Sequence, residues 1–576
     1  MIELLLRDEP ITMKLFRSFI LLILVATPAS AASPREELLR VAPPDAALLL
    51  LVQNANDRVQ NIEQSPFAKW FPQSALGKQI LSGVDLKQAQ SSLAPIFAAL
   101  EIKPEELLAD VFGEAVAFAY TPTPNDDPKG ERAVVIVRPR KPETLARLVA
   151  KLNEIQIAGG EVKAVASRRH NGEEYFERQK PGGTSDFYCF RGSVFAFSGT
   201  EPDIQAIIDR DKADKPSVLP AKLAKLGVEK SFVVALINPR PFDAEVKAKA
   251  AKANGADRAL LERFHEIWLA LDSAAISLDL DAGLEAGVSL QFQPNKLPVA
   301  ARAWLTGVRQ NAAIWQAIPE NALFALAGNV RIAEAIESLG SLAAADGANP
   351  LKTAAEQLLG PVFGKDKLPQ VLAALGPQWA FWIEQPSGNG FLPVGVAAVQ
   401  IDSTGPKGKA AAREISRAIG FGFNTARIAY NATHTDQIEI DELDDGGVLI
   451  TSLVNEKGFP PGFRPSYAFK AGYLLVATSP EAIRRFQEPK PGIAKPEATL
   501  SRVSGAAIRV YLHTHREKLA KFLAAAGQGN EADLLKQFEQ VATVLELVDR
   551  LEIVMRGDEG GIRLSARIQF AKPLLK

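Results

Sequence analysis

Residues 284–292 read Leu284-Glu285-Ala286-Gly287-Val288-Ser289-Leu290-Gln291-Phe292, and residues 562–570 read Ile562-Arg563-Leu564-Ser565-Ala566-Arg567-Ile568-Gln569-Phe570. In both runs an apolar side chain falls at every second position, with polar residues or glycine between. Strand side chains alternate between two faces, so the pattern predicts a half-buried antiparallel strand whose apolar set meets a core. Each run follows a partner: Ile276, Leu278 and Leu280 precede the first, and Leu551, Ile553 and Met555 the second. Asp281-Ala282-Gly283 and the stretch 557–561 supply the turns, because glycine and aspartate accept turn conformations at little cost. Two like hairpins thus close two like stretches of chain, with Phe292 and Phe570 expected at matching core sites.

Working outward, the likeness continues. Leu260, Phe264, Ile267 and Leu271 fall on one helical face before the first hairpin, as do Leu534, Phe538, Val541 and Leu545 before the second. Pro43-Pro44-Asp45-Ala46-Ala47-Leu48 is echoed by Pro319-Glu320-Asn321-Ala322-Leu323-Phe324, and Gly113–Phe118 by Gly376–Phe381. Gly192–Phe197 is echoed by Gly472–Ala477. Thr200-Glu201-Pro202 and Ser479-Pro480-Glu481 each follow a strand with a capping hydroxyl, an early proline and an early acid. The order is kept throughout. The chain therefore reads as α+β, two tandem repeats over 32–315 and 316–576, with mostly antiparallel sheets packed with helices. Proline and lysine gather near 214–221 and 488–496, where each repeat has a candidate seam.

Bulk composition narrows the function classes. Lys and Arg number 66 against 67 Asp and Glu among 576 residues, a net charge of −1. So even a balance gives no general field for gathering nucleic acid. The single cysteine, Cys189, cannot form an intrachain disulfide and reads as a small buried apolar residue. From Met13 the chain shows Lys14 and Arg17, an apolar stretch over 19–26, and Ala29-Ser30-Ala31. That is the pattern of a secretory signal, with Met13 as the better start because Glu3, Asp8 and Glu9 suit a signal poorly. Residues 1–31 are thus read as a signal segment, and the protein as exported to the periplasm or beyond the cell. No other apolar run is long enough to span a membrane.

The Pro43-Pro44-Asp45 strand opening, the segment Gln64-Ser65-Pro66-Phe67-Ala68-Lys69 and the run from Gly472 to Ile483 resemble an uncharacterised family of large exported bacterial proteins. That family is known only as a domain of unknown function. The resemblance implies an exported location and brings no active-site residue with it.

Motifs that carry chemistry are scarce. A nucleophile elbow is absent, Gly360–Lys365 has the wrong spacing for a phosphate loop, and His265-Glu266 lacks the second histidine of a zinc protease. His513 and His515 on a strand would share a face and form the sharpest metal candidate, without a third ligand. Asp441-Glu442-Leu443-Asp444-Asp445-Gly446-Gly447 reads as a hairpin turn, with Lys180–Gly183 as its counterpart, and Trp379 and Trp382 as core residues. Asn431-Ala432-Thr433 matches a glycosylation acceptor by pattern alone, and Ala244–Ala253 reads as a solvated helix. No catalytic, cofactor or metal residue is assigned. The reading is a non-enzymatic binding or scaffold protein, its partner an unknown protein or apolar ligand of the cell envelope. The alternatives are a carrier of an apolar ligand and a hydrolase whose site is scattered in sequence.

Overall fold

The computed structural model describes residues 33–572 apart from 84–93, 96, 124–129, 214, 254, 300, 303–304, 306–310, 344–348, 403–404, 491–496 and 558–559. The signal segment 1–31 lies outside the described residues. Helix α1 (Pro34–Val41) opens the described chain. The Ser33 hydroxyl accepts from Glu36 N, and Ser33 N donates back to the Glu36 carboxylate, a reciprocal cap that lets so short a helix form.

The first half contributes β1 (Leu48–Gln53), β2 (Ala115–Thr121), β3 (Arg132–Arg138), β4 (Ala164–His170), β5 (Glu173–Gln179), β6 (Ser185–Arg191), β7 (Val194–Ser198), β8 (Val233–Ile237), β9 (Leu271–Leu280) and β10 (Gly283–Phe292). Helices α2 (Pro142–Ala158), α3 (Glu201–Lys212), α4 (Leu219–Lys225) and α5 (Gly255–Ala270) lie among them. The second half contributes β11 (Phe324–Asn329), β12 (Leu375–Glu384), β13 (Val394–Ile401), β14 (Glu439–Asp444), β15 (Leu449–Val454), β16 (Ser466–Lys470), β17 (Tyr473–Ala477), β18 (Glu497–Ser504), β19 (Val548–Gly557) and β20 (Gly561–Phe570). Its helices include α6 (Ile332–Ala343), α7 (Pro350–Phe363), α8 (Gly405–Asn431), α9 (Pro480–Arg485), α10 (Gly505–Ala525) and α11 (Glu531–Leu545).

Hydrogen bonding orders the first ten strands β4-β5-β6-β7-β3-β2-β1-β8-β9-β10. It orders the second ten β14-β15-β16-β17-β13-β12-β11-β18-β19-β20, and every pairing in both is antiparallel. The two orders are the same strand for strand. Registers agree as well: Leu48 faces Tyr120 as Phe324 faces Ile383, and Ala274 faces Leu290 as Leu551 faces Ile568. The protein is α+β, as its residue patterns predict. One match made on glycine identity slips by a residue. The β6–β7 turn is Gly192-Ser193, whereas the β16–β17 turn is Ala471-Gly472, so Gly192 stands opposite Ala471.

The halves join through β10 and β20, which pair antiparallel over Gly283–Gln291 and Gly561–Gln569. At the centre of that pair Gly287 faces Ser565, and the two hold equivalent places, opposite Ser277 of β9 and Val554 of β19. All twenty strands thereby form one sheet. Its outer edges are β4, with Arg168 and Arg169, and β14, with Glu439, Asp441, Glu442 and Asp444.

One face of this sheet carries two cores, while on the other face Leu145 of α2 packs with Val137 and Phe195, and Ile415 of α8 with Ile401. In the first half α1, α3 and α4 close over Leu49, Leu51, Ala117, Ile136 and Val234. Leu219 and Leu223 share that core with Ile204, so chain on both sides of the 214–221 stretch packs together. In the second half α9 and the segment around Ile314 close over Ala325, Ala327, Val396 and Leu475. The capping hydroxyls behave differently from expectation. Thr200 and Ser479 donate to Asp203 and Glu481 inside their own helices rather than accepting from backbone N–H groups.

Between the two cores the faces of the sheet are reversed relative to the expectation from alternation. Val288, Ile276 and Leu564 are 45%, 53% and 43% exposed, whereas Ser289, Ser565 and Ser277 on the other face are 1%, 2% and 3% exposed. The cause is the cover. No helix lies over the apolar side chains there, while Arg563 and Arg567 fold across their own strands and shut the serine-lined face. Arg563 reaches Gly227 O at 2.5 Å, Ser565 Oγ at 3.2 Å, Asp279 at 3.3 Å and Glu285 at 3.2 Å. Arg567 reaches Glu285 at 2.8 Å and Glu497 at 2.5 Å. Only the ends of the apolar rows are covered. Phe292 is buried with Ala274, Leu297 and Leu305, and half-buried Phe570 meets the Phe67 ring at 5.0 Å. In the preceding helices Phe264 and Val541 are exposed rather than core, and Leu271 already belongs to β9.

Candidate functional site

The strand ladder differs between the halves at several places, and at one of them, between β11 and β18, a cleft opens. β1 and β8 pair over five residues, from Leu48↔Ile237 to Val52↔Val233, and Gln53 N→Phe232 O extends the ladder. Their counterparts β11 and β18 pair over three, ending at Leu326↔Ser501. Beyond that point β18 carries a register shift between Thr499 and Ser501, which leaves Leu500 as the extra residue of a bulge. The strands part, and Ala327–Val330 on one side and Ala498–Leu500 on the other border a cavity of about 390 Å3.

Its remaining wall comes from α6 (Ile332, Ala335, Ile336), Leu351 of α7, Trp379 of β12 and Ala312. Asn349 ties the two helices together. Its Oδ1 caps α7 by accepting from Lys352 N at 2.9 Å, and its Nδ2 donates to Ile336 O at 2.9 Å. Trp379 stands opposite Gly328 in the β11–β12 register, and a Cβ at position 328 would lie 2.6 Å from the indole. Only glycine admits the ring in that place. Behind the cleft, Trp315 Nε1 donates to Thr499 O at 2.6 Å, and Arg502 lies over the Trp315 ring at 5.4 Å. Gln378 Oε1 accepts from Ile314 N at 3.0 Å and from Tyr473 at 3.2 Å, which fixes the neighbouring chain. Of the described residues bordering the cavity only Asn329 and Thr499 are polar, and none is charged. Such a site can hold hydrocarbon.

Apart from Trp379, the residues that sequence reasoning singled out lie elsewhere. His513 and His515 are on α10 rather than a strand, so two residues apart places them on different sides of a helix. His515 rests against Tyr511 at 5.3 Å, and burial with nearby Lys518 lowers its pKa. Among the described residues no group of three or more His, Cys, Asp or Glu is placed to hold a metal ion. The acidic stretch is the end of β14, up to Asp444, and the turn that follows it to β15, where Gly447 N donates to Asp444 Oδ1 at 2.7 Å. Its counterpart is the Asn171-Gly172 turn of β4–β5, not Lys180–Gly183. Cys189 is buried in the first core, and burial pushes its thiol up to about 12. Asn431 is engaged with the backbone of Ile438 at 2.7 Å and 3.0 Å. Trp382 is core, as expected; Trp379 is a cleft wall instead. The glycine within β11, opposite a tryptophan, is the sequence signal that marks the cleft.

Polar side chains gather instead in the band between the cores. There burial alone would raise the Glu285 carboxyl, but hydrogen bonds from Arg567 and Ser565, with the charges of Arg567 and Arg563, hold it below the usual range. Arg563 bridges Asp279 and Glu285, and Arg567 bridges Glu285 and Glu497, so the like charges that the register sets opposite each other, Glu285 with Asp279 and Arg563 with Arg556, are offset, which suits a structural joint.

Among the described residues no helix is long and apolar enough to cross a membrane. The chain matches no family model, no curated protein and no solved structure.

Proposed function

We propose that this chain is an exported, non-enzymatic binding protein for an apolar ligand, made of two copies of one α+β unit joined edge to edge. The observation that carries the reading is the cavity of about 390 Å3 where β11 and β18 part. Its size falls in the range of small-molecule sites, roughly 300–1,000 Å3, and its described walls are almost wholly apolar. The shared strand order of the two halves supports duplication, with one copy keeping its ladder closed and the other opening it. Export rests on the basic start, apolar centre and Ala29-Ser30-Ala31 ending of the first segment.

The test is to express the full chain, purify the processed protein without detergent, and analyse an organic extract by mass spectrometry. Co-purifying lipid in near-stoichiometric amount is the expected result, together with an N-terminus at or just after Ala32. A protein that is empty and also fails to take up a fluorescent apolar probe would refute the ligand reading. An unprocessed N-terminus would refute the export. A scaffold role has one observation in its favour, the uncovered apolar side chains Ile276, Val288 and Leu564 at the joint. Crosslinking in intact cells, with a defined protein captured through position 288, is the outcome that would favour it.

A further inference from the structure

We infer that the cleft between β11 and β18 takes a single hydrocarbon chain, that the chain enters without polar atoms along its length, and that Gly328 sets how deep it goes. This rests on the binding role proposed above. The size argument is direct. A cavity of roughly 150 Å3 holds one benzene ring, so about 390 Å3 holds on the order of fifteen carbon atoms. That is one acyl or prenyl chain, and too little for a lipid with both chains buried.

Chemistry narrows the ligand further. Leu326, Val330, Ile332, Ile336, Leu351 and Leu500 present aliphatic carbon, and Trp379 presents a flat ring. Asn329 and Thr499 flank the parted strands. The rest of the described wall offers no polar side chain. A hydroxyl carried along it loses its water and gains nothing, and a charged group is excluded more strongly. A headgroup therefore stays at the mouth, and selectivity lies in chain length and the absence of polar groups along the chain rather than in headgroup type.

The comparison with the first half identifies the determinant. Where the second half has Gly328 and Trp379, the register places Val52 and Val116 in the first. There the ladder continues through Val52↔Val233, and the space is closed. Gly328 thus does two things: it seats the Trp379 ring, and it leaves room beside that ring. A valine at 328 displaces the indole into the cavity.

The experiment is displacement of N-phenyl-1-naphthylamine from the full processed chain by saturated fatty acids of increasing length, and by octadecanoic against 9,10-dihydroxyoctadecanoic acid. Affinity should rise with length and level off near fourteen to sixteen carbons, on the same carbon count. The two mid-chain hydroxyls should weaken binding at least tenfold. Gly328→Val should weaken it at least tenfold, while Val52→Ala in the other half leaves it unchanged; circular dichroism melts establish that both variants fold. If Gly328→Val unfolds, Leu500→Trp, on the opposite wall, must give the same loss. Dihydroxy acid binding as tightly as the parent acid, or affinity indifferent to length, overturns the inference while leaving an apolar-ligand role standing. No displacement by any chain sinks both.

Discussion

A pair of neighbouring substitutions tests the reversed faces at the joint, Val288→Thr and Ser289→Leu. The Val288 side chain is 45% exposed, so about half of it is shielded from water. Exchanging one of its methyl groups for a hydroxyl forfeits roughly half of the ~0.8 kcal/mol that one buried carbon contributes, about 0.4 kcal/mol. Threonine also suits a strand. Ser289 is 1% exposed and sits opposite Ala275 and Arg563. A leucine there must push into a closed layer and dislodge the arginine above it, which costs about 1–3 kcal/mol. Ser289→Ala is the control. The Ser289 hydroxyl is buried without a hydrogen-bond partner, so removing it should be neutral or stabilising by up to about 1 kcal/mol. The assay is urea unfolding of the three variants and the parent, with circular dichroism and tryptophan fluorescence required to give coincident transitions. The reversed order, with Val288→Thr costing more than about 1 kcal/mol and Ser289→Leu costing nothing, would show that the apolar face is the covered one.

Phe292 and Phe570 hold equivalent strand positions but unequal surroundings, so Phe292→Ala should cost about 3–4 kcal/mol and Phe570→Ala about half that. Equal losses in urea titrations would count against the packing described. Glu285 has a depressed carboxyl, so its contribution is complete above the unfolded value near 4.5 and is lost as pH falls through the lower folded value. The gap in urea midpoint between the parent and Glu285→Gln should therefore be widest near pH 6 and shrink toward pH 3; a gap that grows in acid contradicts the assignment.

Much of the architecture was legible in the residues. Alternation located β9, β10, β19 and β20, and the paired Pro43 and Pro319 stretches located β1 and β11, because strand period and turn chemistry are local properties. What alternation cannot state is which of the two faces is covered. That depends on helices distant in sequence, and at the joint on Arg563 and Arg567 reaching back over their own sheet. His513 and His515 were misplaced because a short run such as Val510–His515 does not distinguish a strand from the middle of a long helix. The cleft was illegible for a different reason. It exists because one ladder stops two residues early, and only the pairing of β11 with a strand some 170 residues later reveals that. Gly328 hinted at it; nothing local decided it.

Joining β10 to β20 leaves the sheet with two ends of unlike charge. Two β14 ends meeting would set Glu439, Asp441, Glu442 and Asp444 against their own copies, and two β4 ends would oppose Arg168 and Arg169. Like ends therefore repel. The contact that charge does permit is tail to head, β14 of one molecule on β4 of the next, and such a contact grows as polymer unless its rotation closes a ring. The brake lies one strand in: Arg168 is already held by Glu177 at 2.7 Å, and Arg169 stands opposite Glu174. Removing those two glutamates would free the cationic rim, and low ionic strength would then favour fibres over single molecules.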